Sequence, residues 1–262
     1  VTGHLADWIT YMAMVTRKSR LGLVYRFIVF ILKPLLIFIT KREYYGSENL
    51  NTNTGIVVAM NHNSWFDPFV VAHFMWDNNR PPKFLAKSGI FKFPIIGQLV
   101  WLAGQIPVYR ESRHAKIAVR GAIHAVEKGE AVVLSPEGTL TRDENLWPMV
   151  AKTGAARIAA STGATVIPFA QWGDHKILAP YSKALKIFPP KPVSLKCGDP
   201  VDLSRWHGKE DDPIAMEEAT NYAMRILAHM VGELRGEAAP KQLFDLRNSN
   251  LPRTGNFRKN QF

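Results

Sequence analysis

From Glu43 to about Gly236, short runs rich in Val, Ile, Ala and Phe recur between stretches of helical pattern. This alternation constrains the fold more than any other feature. Strands separated by segments long enough for a crossover helix pair in parallel, and a parallel sheet has to be covered on both faces. The sequence therefore predicts an α/β fold: a single layered domain with a mostly parallel central sheet flanked by helices. Strands are predicted at 56–60, 83–86, 105–109, 131–134, 165–169, 185–188 and 193–196. Asp67-Pro68 and Asp212-Pro213 each offer a carboxylate cap followed by a proline in the first helical turn. Further helices are predicted at 112–128 and 151–162, and Gly129, Gly163 and Gly236 mark helix stops. A length of 262 residues accommodates one such domain with a short appendage.

The appendage is N-terminal. Residues 21–40 are the most apolar stretch, yet Arg26, Lys33 and Pro34 interrupt them. Central charges disfavour a free-standing span, so the segment reads as a helix, or a bent helical pair, lying in a membrane interface. Arg17, Lys18, Arg20, Lys41 and Arg42 would then sit at headgroup level. A helix buried on the core and a single true span are the alternatives. The chain divides into a membrane-associating segment at 1–42, a catalytic domain at 43–239 and a basic, loosely ordered tail at 240–262. The net charge of +11 predicts attraction to polyanions: nucleic acid, an anionic lipid surface or phosphorylated substrates. Composition alone leaves these three open. A single cysteine, Cys197, forms no internal disulfide and no thiolate zinc site, which makes an intracellular compartment the default. No leader pattern precedes Arg17, Lys18 and Arg20, so secretion is not expected.

Three segments join a predicted strand end to polar groups that a core would reject. Asn61-His62-Asn63-Ser64-Trp65-Phe66-Asp67 follows the run 56–60, placing His62 at the mouth of the sheet, where α/β proteins bind ligands. A tight turn can return Asp67 to the imidazole. An imidazole held this way takes a proton from an alcohol while the carboxylate fixes its tautomer. Asp67 is equally a good helix cap, and a lone histidine is more often surface or core than catalyst. Gly104 to Arg110 is an apolar strand ending in an arginine, whose guanidinium can present paired donors to phosphate or simply be solvated. Ser135-Pro136-Glu137-Gly138-Thr139 is a stiff turn after 131–134, with Glu137 and Thr139 read as facing outward.

Together these residues resemble the glycerophospholipid acyltransferases, the family that includes 1-acylglycerol-3-phosphate acyltransferase. Asn61 to Asp67 is similar to its N-H-x-S-x-x-D block, Gly104 to Arg110 to its second block, Ser135 to Thr139 to its F-P-E-G-T block, and Val166-Ile167-Pro168 to its fourth. All four occur in the family's order between about Tyr45 and Phe169. The resemblance implies His62 as general base and Asp67 as its orienting partner. It implies Arg110 as a phosphate ligand, with Glu137, Gly138 and Thr139 in the acceptor pocket. Lys87, and Ser64 within the first block, are further substrate-side candidates. Ser135 replaces the family's usual aromatic, and Leu140 stands where many relatives carry arginine; Arg142 is the candidate to supply that contact.

The implied reaction is transfer of a fatty acyl group from acyl-CoA or acyl carrier protein to lysophosphatidic acid or glycerol 3-phosphate. A thioester is already activated, so direct attack by an alcohol needs a base and oxyanion donors but no covalent intermediate. No nucleophile elbow, phosphate loop, dinucleotide turn or zinc-binding H-E-x-x-H pair is present in the sequence. No cofactor or metal is therefore expected beyond the acyl-carrying co-substrate, and no nucleic acid partner. The expected location is the cytoplasmic face of a membrane. Two other readings use the same residues: a non-catalytic basic module binding lipid or nucleic acid, and a thioesterase-like hydrolase.

Overall fold

The computed structural model describes residues 18–109, 115–252 and 255–256. Helix α1 (Lys18–Ile39) leads directly into strand β1 (Thr40–Tyr45). There follow β2 (Ile56–Met60), α2 (Asp67–Asp77), β3 (Pro82–Lys87), α3 (Ile96–Leu102), β4 (Ile106–Val108), α4 (Ala115–Glu127) and β5 (Ala131–Leu134). The chain closes with α5 (Gly154–Thr162), β6 (Thr165–Trp172), β7 (Lys191–Cys197) and α6 (Pro213–Arg235).

The strands form one seven-stranded sheet in the order β1-β7-β6-β2-β5-β3-β4. The block from β6 to β4 is parallel; β7 runs antiparallel to β6, and β1 is parallel to β7. Central strands β2 and β5 are buried at every residue, as strands covered on both faces must be. Alternate side chains feed two cores. Val57 and Ala59 pack with Ala122, Ile158 and Met216 from α4, α5 and α6. Ile56, Val58 and Met60 pack with Val70 and Phe74 of α2, and with Leu36 and Ile39 at the end of α1. This is the predicted fold class.

Local chemistry explains the boundaries. Asp212 accepts from the amides of Ile214 and Ala215 at the start of α6, and Gly236 closes that helix at φ 69°. Four expectations change. Residues 40–42 belong to the sheet rather than to the N-terminal segment, because Thr40, Lys41 and Arg42 pair with Lys191, Pro192 and Val193. The apolar run 185–188 is no strand; Leu185 makes a single bridge to Leu178, and Pro189 and Pro190 withdraw the next two amide donors. α1 continues through Pro34, and Leu23, Phe27, Phe30 and Phe38 lie exposed, so it is not a core helix. The C-terminal segment is tied down where it is described: Val150 donates to the Phe244 carbonyl, and Arg142 to that of Gly255.

A candidate active site at the carboxyl rim of the sheet

Strands β2, β5, β3 and β4 all end at one rim; the predicted segments 61–67 and 135–139 follow β2 and β5, and the segment 104–110 contains β4. The paired register of β6 and β7 brings the start of β7 to the same rim. His62 lies two residues beyond β2. Its Nδ1 stands 3.0 Å from Asp67 Oδ2. The imidazole is partly open to solvent, whereas the Asp67 side chain is 0% exposed.

Asp67 opens α2, but its carboxylate does not cap that helix. Oδ2 instead accepts from the amides of Asn63 at 2.8 Å and Ser64 at 2.9 Å, so the turn folds back around the carboxylate. The expected cap therefore gives way to a nest of donors aimed at the partner of His62. Burial pushes the Asp67 carboxyl up to about 7, against the downward pull of the Ser64 amide, the Asp174 carboxyl and the Asn63 amide.

Three clamps hold the His62 loop. Asn61 and Gln171 lock the ends of β2 and β6: Asn61 Nδ2 donates to the Gln171 carbonyl, the Gln171 amide to Asn61 Oδ1, and Gln171 Nε2 to the Asn61 carbonyl. The Thr141 amide donates to the His62 carbonyl at 2.7 Å. Glu137 supplies the third clamp, with Oε1 accepting from the His62 amide at 3.1 Å and Oε2 from the Met149 amide at 3.0 Å. Its outward orientation is thereby corrected: the side chain is buried and acts on His62 through the backbone. Burial drives Glu137 up to about 8, opposed by the amides of Met149 and His62 and reinforced by the charges of Asp67 and Asp143.

Ser64 also departs from expectation. It is fully buried; its hydroxyl donates to the Leu178 carbonyl at 2.7 Å and accepts from the Phe66 amide, so it is a strut rather than a substrate contact. Gly138 sits at φ 71° with the Lys152 side chain against it, where an added Cβ would lie 3.3 Å from Lys152 Cε. Thr139 is half-buried beside it. Lys87, exposed at the end of β3, lies two strands from β2, about 10 Å along the rim at ordinary strand spacing. Arg110 lies outside the described residues; β4 reaches the rim at Val108, paired with Lys87. Leu140 is a core residue. Arg142 is 1% exposed beneath the Tyr181 ring, which removes it from the open rim as a stand-in for the family arginine.

Sequence reasoning missed Asp174, Gln171 and Lys152. Asp174 is fully buried, in hydrogen-bonding contact with Asp67, and is held well above the carboxylate range by burial first and by the Asp67 charge second. Nothing in the linear spacing connects Asp67 to a turn more than a hundred residues later.

A strand-end imidazole with a buried carboxylate, on a rim that carries lysines, defines the class. The acyltransferase family model matches residues 41–172, half of the chain, and the chain belongs to that family. Among individual relatives, it is 33% identical over 147 residues to a chloroplast 1-acyl-sn-glycerol-3-phosphate acyltransferase of Brassica napus, covering 55% of this chain and 41% of that protein. It is 26% identical over 214 residues to the 1-acyl-sn-glycerol-3-phosphate acyltransferase of Bacillus subtilis, covering 80% of this chain and 100% of that protein. The chain thus spans about two fifths of the plastid relative's length and all of the bacterial one's. The crystal structure of the 1-acyl-sn-glycerophosphate acyltransferase of Thermotoga maritima superposes with a TM-score of 0.63 at 22% identity, over 90% of this chain and 91% of that one, and shares the fold.

Proposed function

We propose that this chain transfers a fatty acyl group from a thioester carrier, acyl-CoA or acyl carrier protein, to the free hydroxyl of lysophosphatidic acid. Glycerol 3-phosphate is the smaller acceptor with the same recognition chemistry. The observation that carries the reading is the 3.0 Å contact between His62 Nδ1 and the buried Asp67 Oδ2. With Nδ1–H donating to the carboxylate, Nε2 is the basic nitrogen, and it takes the acceptor's proton as the alkoxide oxygen attacks the thioester carbonyl. Asp67 stabilises the imidazolium, which then protonates the departing thiolate. Lys87 and Lys152 on the rim meet the acceptor phosphate together with Arg110, the phosphate ligand that the family resemblance implies, and Gly138 and Thr139 border its pocket.

The exposed apolar face of α1 places the enzyme on its lipid. Residues Gly22–Ile39 form a helix long and apolar enough to cross a membrane, with Arg26 and Lys33 along it. We read it as lying in the interface on the cytoplasmic face, where Arg26 reaches headgroups, while Lys33 pairs with Asp77 at the end of α2. His62→Ala should lower kcat by about 10²–10⁴-fold, the usual worth of a positioned base. Labelled palmitoyl-CoA with lysophosphatidic acid, and resolution of the lipid products, measures it. An unchanged rate removes His62 from the mechanism, and free fatty acid without acylated lipid identifies a hydrolase instead.

A further inference from the structure

We propose that the loop 183–190 is a second membrane contact, docking the catalytic rim onto an anionic lipid surface. Leu185, Ile187 and Phe188 are 59%, 44% and 79% exposed, and Lys183, Lys186 and Lys191 are interleaved with them. Apolar side chains alternating with lysines suit the boundary between headgroups and acyl chains, where the apolar groups insert and the cations meet phosphate. The loop has a fixed shape: the Lys186 amide donates to the Ile177 carbonyl, Leu185 bridges Leu178, and the Ala184 amide donates to Ser182 Oγ.

Its place in the fold selects a bilayer over a protein partner. Lys191, at the end of the loop, pairs with Thr40, the first residue after α1, so the loop lies beside the C-terminal end of the apolar helix and its exposed Phe38. The same pairing sets it at the rim that carries His62. Ser64 Oγ holds the Leu178 carbonyl, and exposed Trp65 packs edge-on against Tyr181, joining the catalytic turn to the base of the loop. Helix, loop and site therefore share one side, which delivers a bilayer-resident acceptor to the imidazole without leaving the membrane.

This inference rests on a lipid acceptor, and the test separates the two. The triple variant Leu185→Ser, Ile187→Ser, Phe188→Ser is assayed on vesicles of phosphatidylglycerol and phosphatidylcholine. Sedimentation should show vesicle partitioning down about tenfold or more. Acylation of long-chain lysophosphatidic acid in vesicles should fall in parallel, whereas acylation of a short-chain, water-soluble lysophosphatidic acid stays within about twofold. Lys183→Glu with Lys186→Glu should weaken the preference for phosphatidylglycerol vesicles by about tenfold or more. Unchanged sedimentation overturns the docking role, and so does an equal loss on the soluble acceptor, which would make the loop part of the substrate channel. Absence of acyl transfer by the wild type refutes the proposed function while sedimentation still reads the loop.

A separate observation concerns Asp174. Asp67 Oδ1 and both Asp174 carboxyl oxygens are buried and, among the described residues, face no N–H or O–H donor, although the two carboxyl groups touch. Two acceptors in contact require a proton between them. The structure assigns that proton to Asp174, making it a positioning residue whose O–H holds Asp67 Oδ1 while Oδ2 stays ionised for His62. Asp67 has three donors to hold its charge and Asp174 none. Among the described residues, the titratable groups near this pair include the Tyr44 phenol from β1, His62 beyond Asp67, Glu137 beneath His62, and His175 and Lys176 on the same turn.

With ¹³C-labelled aspartate at pH 8.5, above the value of about 7 to which Asp67 is raised, the wild type should show the infrared carbonyl band of a protonated carboxyl, and Asp174→Asn should lose it. Asp174→Asn should keep kcat within about threefold, since its amide still donates, whereas Asp174→Ala should lose about tenfold in kcat at constant KM. Absence of the wild-type band, its survival in Asp174→Asn, or equal damage from Asn and Ala overturns the assignment. The infrared measurement on the wild type stands even if the alanine variant fails to fold.

Discussion

Behind His62 the protein buries polar groups, and along α1 it exposes apolar ones. The two regions invert the ordinary partition of side chains in opposite directions. Asp67, Asn61, Glu137, Gln171 and Asp174 are all nearly or fully inaccessible, while Phe30 is 77% exposed. Scattered exposed hydrophobics are common, but a contiguous row, or a knot of buried carboxyls, asks for a reason. The buried knot is retained because its donors and acceptors fix one imidazole orientation. The exposed row is the surface that the proposed interfacial placement of α1 would cover. Each region is costly for a protein alone in water, and each marks a different half of the same task.

The sharpest way to break this contrast is at Asp67. Asp67→Asn retains the volume, and its amide oxygen can still accept at the Oδ2 position from Asn63 and Ser64, but the negative charge that stabilises the imidazolium of His62 is gone. We expect kcat to fall about 10²–10⁴-fold with little change in KM. Retention of activity would mean that the buried knot is only structural. Steady-state kinetics with a saturating acyl donor decides it.

Glu137 gives the next largest effect, on stability rather than chemistry. Its carboxyl is raised from an ordinary value of 4.5 to about 8, so between those values the native state holds a proton that the unfolded chain has lost. Stability from this group is therefore greatest below about pH 4.5 and declines as pH rises through 8. Glu137→Gln cannot titrate and also sets an amide nitrogen against one backbone N–H, at a cost of about 1–3 kcal/mol. The wild type should melt above the variant at pH 5, with the gap narrowing toward pH 8.5. A gap that stays constant or widens refutes the assignment.

The smallest effect on folding belongs to the exposed row. Phe27→Ser with Phe30→Ser should change unfolding free energy by no more than about 0.5 kcal/mol per site, as at other exposed positions. Vesicle sedimentation should nevertheless drop. A large loss of stability with unchanged sedimentation would show that the row packs on protein, and the two regions would no longer differ in kind.

Much of the fold was legible in the sequence because its signals are local. The runs at 56–60 and 131–134 are short, apolar and punctuated, and they form β2 and β5 as read. Strand β1 escaped because TKREYY carries three consecutive charged residues, as an edge strand can, and follows directly on an apolar helix. Helix α3 is only seven residues long, too short for periodicity to register. The run at 185–188 carried a strand's composition but reached no partner edge, and it became an exposed loop beside the end of the apolar helix α1.

The site divides the same way. The order of the N-H-x-S-x-x-D and P-E-G-T blocks identified the histidine, its carboxylate and the family, since residue type and short spacing are properties of the chain alone. Direction and burial are not. That Ser64 and Glu137 turn inward, that Gln171 clamps Asn61, and that Asp174 meets Asp67 follow from β6 lying beside β2 and from the turn after β6 folding under the His62 loop. The linear chain specifies which groups are available. Only tertiary packing removes water from some of them, and the cost of leaving a buried polar atom without a partner decides which side chains face each other.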